Sequence, residues 1–255
     1  QSPDMRIDYA YVDMTPMDSL VLRLGKGKNM LWRPSDLLWD TDINPDGVSG
    51  RFNFNSDGFV HFGMFSLDEN ETSEHDPRLL VVQPGMTIDH GGQAQSKVAL
   101  SYYMGMNTAT TDVTDASGKT INTTDKEETP LVLSYEWGSK VSNRPVKAFA
   151  EYVTNQAKDS NNTGFIVGAK IGKAKSTGTW DAGLSYRSLA SNAWFGFLPD
   201  SDSYGGGTNV KGVEFIYNYA LQTHVILGLD VYQADILDGT SDQQLLVQAD
   251  LNVKF

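Results

Sequence analysis

The residues best suited to chemistry lie in one polar segment near the N-terminus. Alternate positions there carry oxygen ligands with a spacing suited to a hard cation such as Ca²⁺: Asp40, Asp42, Asn44 and Asp46. An EF-hand starting at Asp40 would need glycine at its sixth position and glutamate at its twelfth, where Pro45 and Arg51 stand. The EF-hand is therefore excluded. A looser calcium site and a polar turn with local hydrogen bonds both stay open.

Other reactive side chains give weaker patterns. Ser117–Thr120 resembles the end of a phosphate-binding P-loop, but Val113 replaces the required first glycine and no helix follows. Cysteine is absent and none of the 4 histidines has zinc-pair spacing, so thiolate chemistry is excluded and zinc is disfavoured. A net charge of −12 disfavours a nucleic-acid partner. We expect no enzyme and no cofactor. A calcium ion in the outer loops and a serine–histidine pair across strands both stay open.

Segment 28–48 is the strongest candidate for a functional loop. It combines two tryptophans with charged residues: Trp32, Arg33, Asp36, Trp39, Asp40 and Asp42. Two tryptophans exposed to water would be costly, so the loop should fold back and pack. If the chain encloses a pore, the loop could fold inward and narrow that pore. Alternatively, it could pack on the rim of the pore and only close its outer end.

The segments on either side of these residues alternate apolar and polar side chains with a period of two residues. Near the C-terminus, apolar residues occupy every second position from Leu245 to Phe255. Polar residues occupy the positions between them, the other parity, with Leu246 as the exception. Such alternation predicts a strand. The pattern recurs and predicts 13 strands and no convincing helix, with strand starts near residues 5, 19, 49, 58, 78, 94, 130, 145, 163, 179, 210, 224 and 243.

A soluble β-sandwich also alternates apolar and polar residues. Three features favour a transmembrane barrel instead. Most predicted strands have about 8 to 12 residues, enough for a tilted strand to cross a bilayer. The polar faces are rich in glycine, serine and isolated charges, as a wet lumen would be. Aromatic residues gather near strand ends, as interfacial girdles do, for example Tyr9 with Tyr11 and Trp194 with Phe195.

The connectors alternate between two kinds. One set is long and polar: 28–48, 67–77, 107–129, 156–162, 196–209 and 236–242. The other set is mostly short: 14–18, 55–57, 138–144, 174–178 and 220–223, with 84–93 as a longer exception. Outer-membrane barrels have long outer loops and short periplasmic turns, whereas a sandwich has no reason to sort its connectors. We therefore predict an all-β fold, an antiparallel transmembrane β-barrel.

The polar parity of this barrel should face the lumen. Its charged residues, predicted to line the lumen, are Arg23, Arg51, Glu136, Lys147, Glu151, Lys170, Asp181, Arg187, Glu214, Asp230 and Asp250. Their charges nearly balance, so the acidic excess of the chain lies in the long connectors. An acidic outer mouth should favour cations modestly at low salt. If 28–48 folds inward, its charged residues should face opposite charges on this wall.

Five stretches, spread over most of the chain, carry a family resemblance: WRPSDLLWDTDINPDG (32–47), KAFAEY (147–152), TGFIVGAK (163–170), WDAGLSYR (180–187) and DLNVKF (250–255). They resemble the putative-porin family of Gram-negative bacterial outer membranes. The resemblance implies passive diffusion of small hydrophilic solutes or ions, without catalytic residues. It also implies that Phe255 is the signal read by the barrel-assembly machinery.

The resemblance further implies the bacterial outer membrane as the location. The implied partners are outer-membrane lipid, lipopolysaccharide, the barrel-assembly machinery and small solutes. A homo-oligomer stays open by analogy with other porins. The alternative function is a plugged or structural barrel that acts as an adhesin or assembly partner.

The strand number bears on the extent of the barrel. Members of this family usually carry further strands upstream, and single-chain bacterial barrels have an even number of strands. We therefore expect residues 1–255 to form a single barrel domain that lacks N-terminal strands, or that pairs its edge with another chain. About 16 strands would complete a barrel with an aqueous channel.

Overall fold

The structure is a computed structural model, which describes residues 7–67, 76–108, 113–114, 120–121, 128–203, 205–240 and 243–254. All regular secondary structure in these residues is β-strand. The strands are β1 (Ala10–Met17), β2 (Leu20–Lys26), β3 (Asp46–Asn53), β4 (Gly58–Ser66), β5 (Arg78–Gly91), β6 (Ala94–Met106), β7 (Val113–Thr114), β8 (Thr120–Ile121), β9 (Pro130–Val141), β10 (Arg144–Asn155), β11 (Thr163–Gly172), β12 (Trp180–Leu189), β13 (Val210–Gln222), β14 (Val225–Ile236) and β15 (Gln244–Val253). The described part of the chain holds no helix with the length and hydropathy needed to span a bilayer.

Thirteen of the strands form one antiparallel sheet in sequence order, from β1 to β6 and then from β9 to β15. The short strands β7 and β8 form a separate hairpin between β6 and β9, which pair directly with each other. Each long strand therefore lies beside its sequence neighbours, which is the topology of an up-and-down barrel. The predicted all-β antiparallel fold is confirmed.

The predicted strand starts agree with the structure to within a few residues, except for the first strand, which begins at Ala10. The predicted connector 84–93 was wrong. Pro84 does not end β5, because the register continues from Val82 opposite Tyr102 to Gly85 opposite Ala99. The turn that follows is only residues 92–93. With that correction, the connectors at one rim of the sheet have 2 to 7 residues, and those at the other rim have 7 to 23.

Burial is inverted relative to a soluble sandwich. Apolar side chains on one parity are exposed, such as Leu184 at 58% and Leu245 at 69%. Polar side chains on the other parity are buried, including Gln83 at 1% and Glu151 and Arg187 at 3%. A sheet with an apolar outer surface and a polar interior is typical of a membrane barrel and excludes the sandwich.

Strand β1 departs from the predicted facing of its aromatic residues. Asp13 lies opposite Arg23 in the β1–β2 register and forms an ion pair with it at 2.7 Å. The Arg23 guanidinium also lies 4.0 Å from the centroid of the Tyr11 ring. Tyr11 therefore shares the inward parity of Arg23 and does not belong to an outer girdle.

A buried apolar cluster lies inside the sheet, toward the rim with the long loops. Its wall residues come from strand ends at that rim, among them Phe65, Tyr103, Val153 and Leu189. Its remaining members come from two connectors. The connector 27–45, which we call the first long loop, contributes Leu31, Leu37, Leu38 and Trp39. The connector 190–209, which we call the fifth long loop, contributes Ala190, Ala193, Trp194, Phe195 and Leu198. The two loops therefore pack against the inner wall and against each other.

Candidate functional site

The first long loop is held against β4 and β5 by its backbone at Trp32. The Trp32 N–H donates to Gln83 Oε1 at 2.8 Å, and Gln83 Nε2 donates back to the Trp32 carbonyl at 2.9 Å. His61 Nδ1 lies 3.1 Å from the same Gln83 oxygen. The ammonium of Lys97 on β6 lies 4.7 Å from the centroid of the Trp32 ring. These contacts fix one point of the loop to one side of the interior.

The same loop is also held on the opposite part of the sheet. Ser35 Oγ donates to Glu151 Oε2 on β10 at 3.4 Å. Asp36 Oδ1 accepts a hydrogen bond from Arg187 Nη2 on β12 at 2.9 Å. Strands β4 and β12 are six positions apart in the sheet. A loop that contacts both therefore crosses the interior and does not follow the rim.

Arg187 joins three carboxylates from three different elements. Besides Asp36, its guanidinium contacts Glu214 on β13 at 2.7 Å and Asp200 of the fifth long loop at 3.4 Å. Burial, followed by the nearby negative charge of Asp36, raises the pKa of Asp200 to about 7. The cluster is anionic overall when every carboxyl group is ionised, because one guanidinium faces three carboxylates.

The two long loops are also bonded to each other. The Asp40 N–H donates to the Leu198 carbonyl at 2.7 Å, and Asp40 Oδ2 accepts from both N and Oγ of Ser201 at 3.3 Å. Trp39 is 2% exposed and packs edge-on against Phe65 with ring centroids 5.8 Å apart. The loops therefore behave structurally as one inward unit.

A cavity of about 410 Å³ remains beside this unit. It lies between segment 32–36 of the first long loop and the inner wall of β10 to β13. Its lining includes charged groups of both signs: Arg33, Asp36, Lys170 and Glu214. Burial lowers the pKa of Arg33 from its ordinary value, although Glu151, Asp36 and Asp40 oppose that shift.

The structure brings most of the sequence-predicted loop residues together. Trp32, Arg33, Asp36, Trp39 and Asp40 take part in the contacts of the first long loop, whereas Asp42 is exposed. The Asp36–Arg187 pair is one of the pairings that the sequence led us to expect. The role of these residues in limiting a pore stays a prediction.

The predicted lumen residues lie on the parity of Glu151 and Arg187, but they are not one cluster. Lys147 pairs with Glu136 at 3.0 Å, and Asp181 accepts from Asn218 at 2.9 Å. The inward parity includes the whole predicted set: Arg23, Arg51, Glu136, Lys147, Glu151, Lys170, Asp181, Arg187, Glu214, Asp230 and Asp250. Contact with solutes stays a prediction for all of them.

The calcium candidates are dispersed in the structure. Both Asp40 oxygens accept hydrogen bonds from other residues, and Asn44 donates to Asp8 at 2.6 Å. Asp46 begins β3 and is exposed. Within the described residues, no group of three or more His, Asp or Glu side chains could hold a metal ion. Calcium in the outer loops stays a prediction.

Phe255, the predicted assembly signal, lies outside the residues that the structure describes.

Sequence reasoning missed the fifth long loop as part of the site. Trp194 and Phe195 were expected in an outer girdle, but they are only 3% and 5% exposed and belong to the interior cluster. Trp194 packs edge-on against Tyr103 with ring centroids 4.8 Å apart. The available signal was the apolar content of 190–198, which resembles that of the first long loop.

The inverted burial and the sequential antiparallel sheet define a β-barrel protein of the outer-membrane type. A family model described as "Putative porin" matches residues 1–134 and again residues 121–255. The chain therefore belongs to the putative-porin family, as its sequence stretches indicated.

Comparison with solved structures shows the same fold. OprB of Pseudomonas putida, solved at high pH, aligns with a TM-score of 0.67 at 12% sequence identity. The alignment covers 98% of this chain and 73% of the OprB chain. No curated protein sequence matches this chain.

Proposed function

We propose that this porin-family protein is a passive outer-membrane channel for small hydrophilic solutes and ions, with the first long loop as its constriction. The carrying observation is that this loop crosses the interior, with Trp32 held by β5 and Asp36 held by Arg187 on β12. Diffusion through a wet lumen needs no catalytic group, and loops that enter the lumen limit what can pass.

We also propose a weak preference for cations. The Arg187 cluster places Asp36, Asp200 and Glu214 around one guanidinium, so the constriction carries an acidic excess when these groups are ionised. The net charge of −12 adds to this effect, because the acidic residues concentrate in the long connectors. Such a field raises the local concentration of cations.

A plugged barrel is the second candidate, and the apolar cluster favours it. Trp39, Trp194 and Leu198 are almost fully buried inside the sheet, so part of the interior is closed to water. A barrel closed in this way would serve as an adhesin or an assembly partner. The cavity lined by Arg33, Asp36 and Glu214 favours the channel, since it leaves polar space beside the loop.

Planar-bilayer recording separates the two functions. Purified protein should produce discrete, ohmic current steps in KCl if it is a channel. A preparation that inserts into the bilayer without current steps would support the plugged barrel. Insertion should be verified independently, by protease protection of reconstituted vesicles, so that a failure to insert is not counted as a closed barrel.

A further inference from the structure

The cavity beside the first long loop has cationic donors with unused hydrogen-bonding capacity. Lys170 is exposed and makes no hydrogen bond or ion pair with any described residue. A Cβ atom at Gly183 would lie 2.9 Å from Lys170 Cγ, so glycine there lets the lysine side chain lie across β12 toward β13. Arg33 also lines the cavity; its Nη1 donates to the Trp39 carbonyl at 2.6 Å, and its Nη2 makes no hydrogen bond with any described residue. Two cationic groups therefore face this space with donors to spare.

The other side of the cavity presents carboxylate oxygens. Glu214 Oε2 accepts from Arg187 at 2.7 Å and from Ser185 at 3.1 Å, which fixes the position of the side chain. Asp36 Oδ1 is fixed in the same way by Arg187. The second oxygens of Glu214 and Asp36 accept no hydrogen bond from the residues that the structure describes. Each carboxylate is therefore held in place with one oxygen available.

We propose that this cavity is a binding subsite for small zwitterionic solutes of the α-amino acid class. The solute carboxylate would bind Lys170 and Arg33, and its ammonium group would bind Asp36 and Glu214. This inference rests on the proposed channel function, and it assigns a solute class to the constriction of that channel. A cavity of about 410 Å³ has room for such a solute together with water.

The charge pattern distinguishes a zwitterion from other small solutes. A monoanion would meet the two fixed carboxylates, and a monocation would leave Lys170 and Arg33 unpaired. A neutral polyol could accept and donate hydrogen bonds but would gain no charge pairing. Charge-assisted hydrogen bonds are roughly twice as strong as neutral ones, so the zwitterion should bind best.

The test uses four solutes of similar size: L-serine, lactate, 1-amino-2-propanol and glycerol. Each is titrated into a planar bilayer that holds single channels in KCl, and the solute-induced interruptions of current are counted. L-serine should interrupt the current saturably, with an affinity about tenfold above that of the other three. Equal interruption by glycerol, or stronger interruption by lactate or the amine, would overturn the proposal.

A matched pair of variants tests the position of the site. Lys170→Gln should weaken the L-serine affinity about tenfold while leaving the KCl current steps in place. Lys147→Gln removes the same charge from the residue opposite Lys170 in the β10–β11 register, but Lys147 pairs with Glu136 and does not line the cavity. It should leave the L-serine affinity unchanged.

The two failures are distinguishable. Unaltered L-serine affinity in Lys170→Gln, or an equal loss in both variants, would overturn the subsite. Absence of KCl current steps in the wild-type protein would instead contradict the channel function itself.

Discussion

At the residue scale, Arg187 is the group on which the interior contacts converge. It is 3% exposed and joins β12 to β13 and to both inward loops. A buried cation is tolerated when it is paired and hydrogen-bonded, and here three carboxylates provide the pairing. Arg187, which the sequence placed on the lumen wall, is therefore one of several tethers of the first long loop, together with Gln83 and Glu151.

Replacing Arg187 by glutamine should destabilise the protein and release the loop. Removing one member of a buried charge cluster leaves the others uncompensated and typically costs about 3 kcal/mol or more. We expect a lower midpoint of thermal unfolding in detergent and larger fluctuations of the open-channel current. Arg144→Gln is the control, because Arg144 is exposed at the opposite rim. Equal unfolding midpoints for both variants would contradict the role of the cluster.

Asp200 should make ion selectivity depend on pH. Burial raises its pKa from 3.8 to about 7, so the carboxyl is mostly neutral below that pH and ionised above it. The cation-to-anion permeability ratio should therefore increase as pH rises from about 6 to 8. Reversal potentials in a KCl gradient measure this ratio. In Asp200→Asn the increase should vanish, and an unchanged increase would assign it to another group.

The same raised pKa has a consequence for stability, with a definite sign. The folded state holds the Asp200 proton more tightly than the unfolded chain, so this group favours folding most at low pH. Its contribution declines as pH rises from 3.8 to about 7 and is constant above that range. Asp200→Asn removes the titrating carboxyl group. The loss of folding stability between pH 3.8 and about 7 should therefore be smaller in this variant.

At the element scale, the strands and the packing of the first long loop were predictable, whereas the inward position of the fifth long loop was not. The two-residue period identified each long strand because every strand separates lipid from lumen, a constraint that repeats along the whole chain. The predicted connector 84–93 was wrong because the β5–β6 ladder continues through most of this segment. Trp194 and Phe195 misled it because aromatic residues suit both a membrane girdle and a buried loop, and only tertiary contacts distinguish these environments.

Among the site residues, the sequence identified Asp36 and Arg187 as charges that should meet, but it could not select this pair from several alternatives. The partners Gln83 and Ser35 carry no charge and follow no spacing rule, so the pattern gave no reason to choose them. Contacts between residues more than a hundred positions apart depend on barrel geometry and loop path. No local pattern in the sequence encodes barrel geometry or loop path.

Shortening the first long loop should widen the channel. Replacing residues 29–42 by a short Gly-Ser linker removes the tethers at Trp32, Ser35 and Asp36, together with the Asp40 contact to the fifth long loop. Single-channel conductance in KCl should increase. Replacing the shorter connector 237–243 by the same linker is the control and should have little effect. Unchanged conductance in the first variant would place the loop on the rim.

At the scale of the whole molecule, charge is distributed unevenly between wall and connectors. The inward wall balances cations with anions, as in the pairs Arg23–Asp13 and Lys147–Glu136. The acidic excess behind the net charge of −12 therefore falls mainly in the connector sequences between the strands. Electrostatic effects on permeation should come from the mouth and the loops more than from the wall.

Ion selectivity should accordingly be modest and dependent on salt. At about 0.1 M salt the Debye length is about 10 Å, so an acidic mouth attracts cations only over short distances. Reversal potentials should show a cation preference at low salt that fades toward about 1 M. An anion preference at low salt would contradict the assignment of the acidic loops to the mouth.

The most direct test of the account is chemical access to the loop within the open channel. The chain contains no cysteine, so Ser35→Cys introduces a single thiol at the point where the first long loop approaches Glu151. A bulky methanethiosulfonate reagent added during single-channel recording should reduce the current stepwise and irreversibly. The matched variant Ser176→Cys, in the exposed turn 173–179, should be labelled without loss of current. Labelling of Ser35→Cys without any change in current would contradict a constriction formed by this loop.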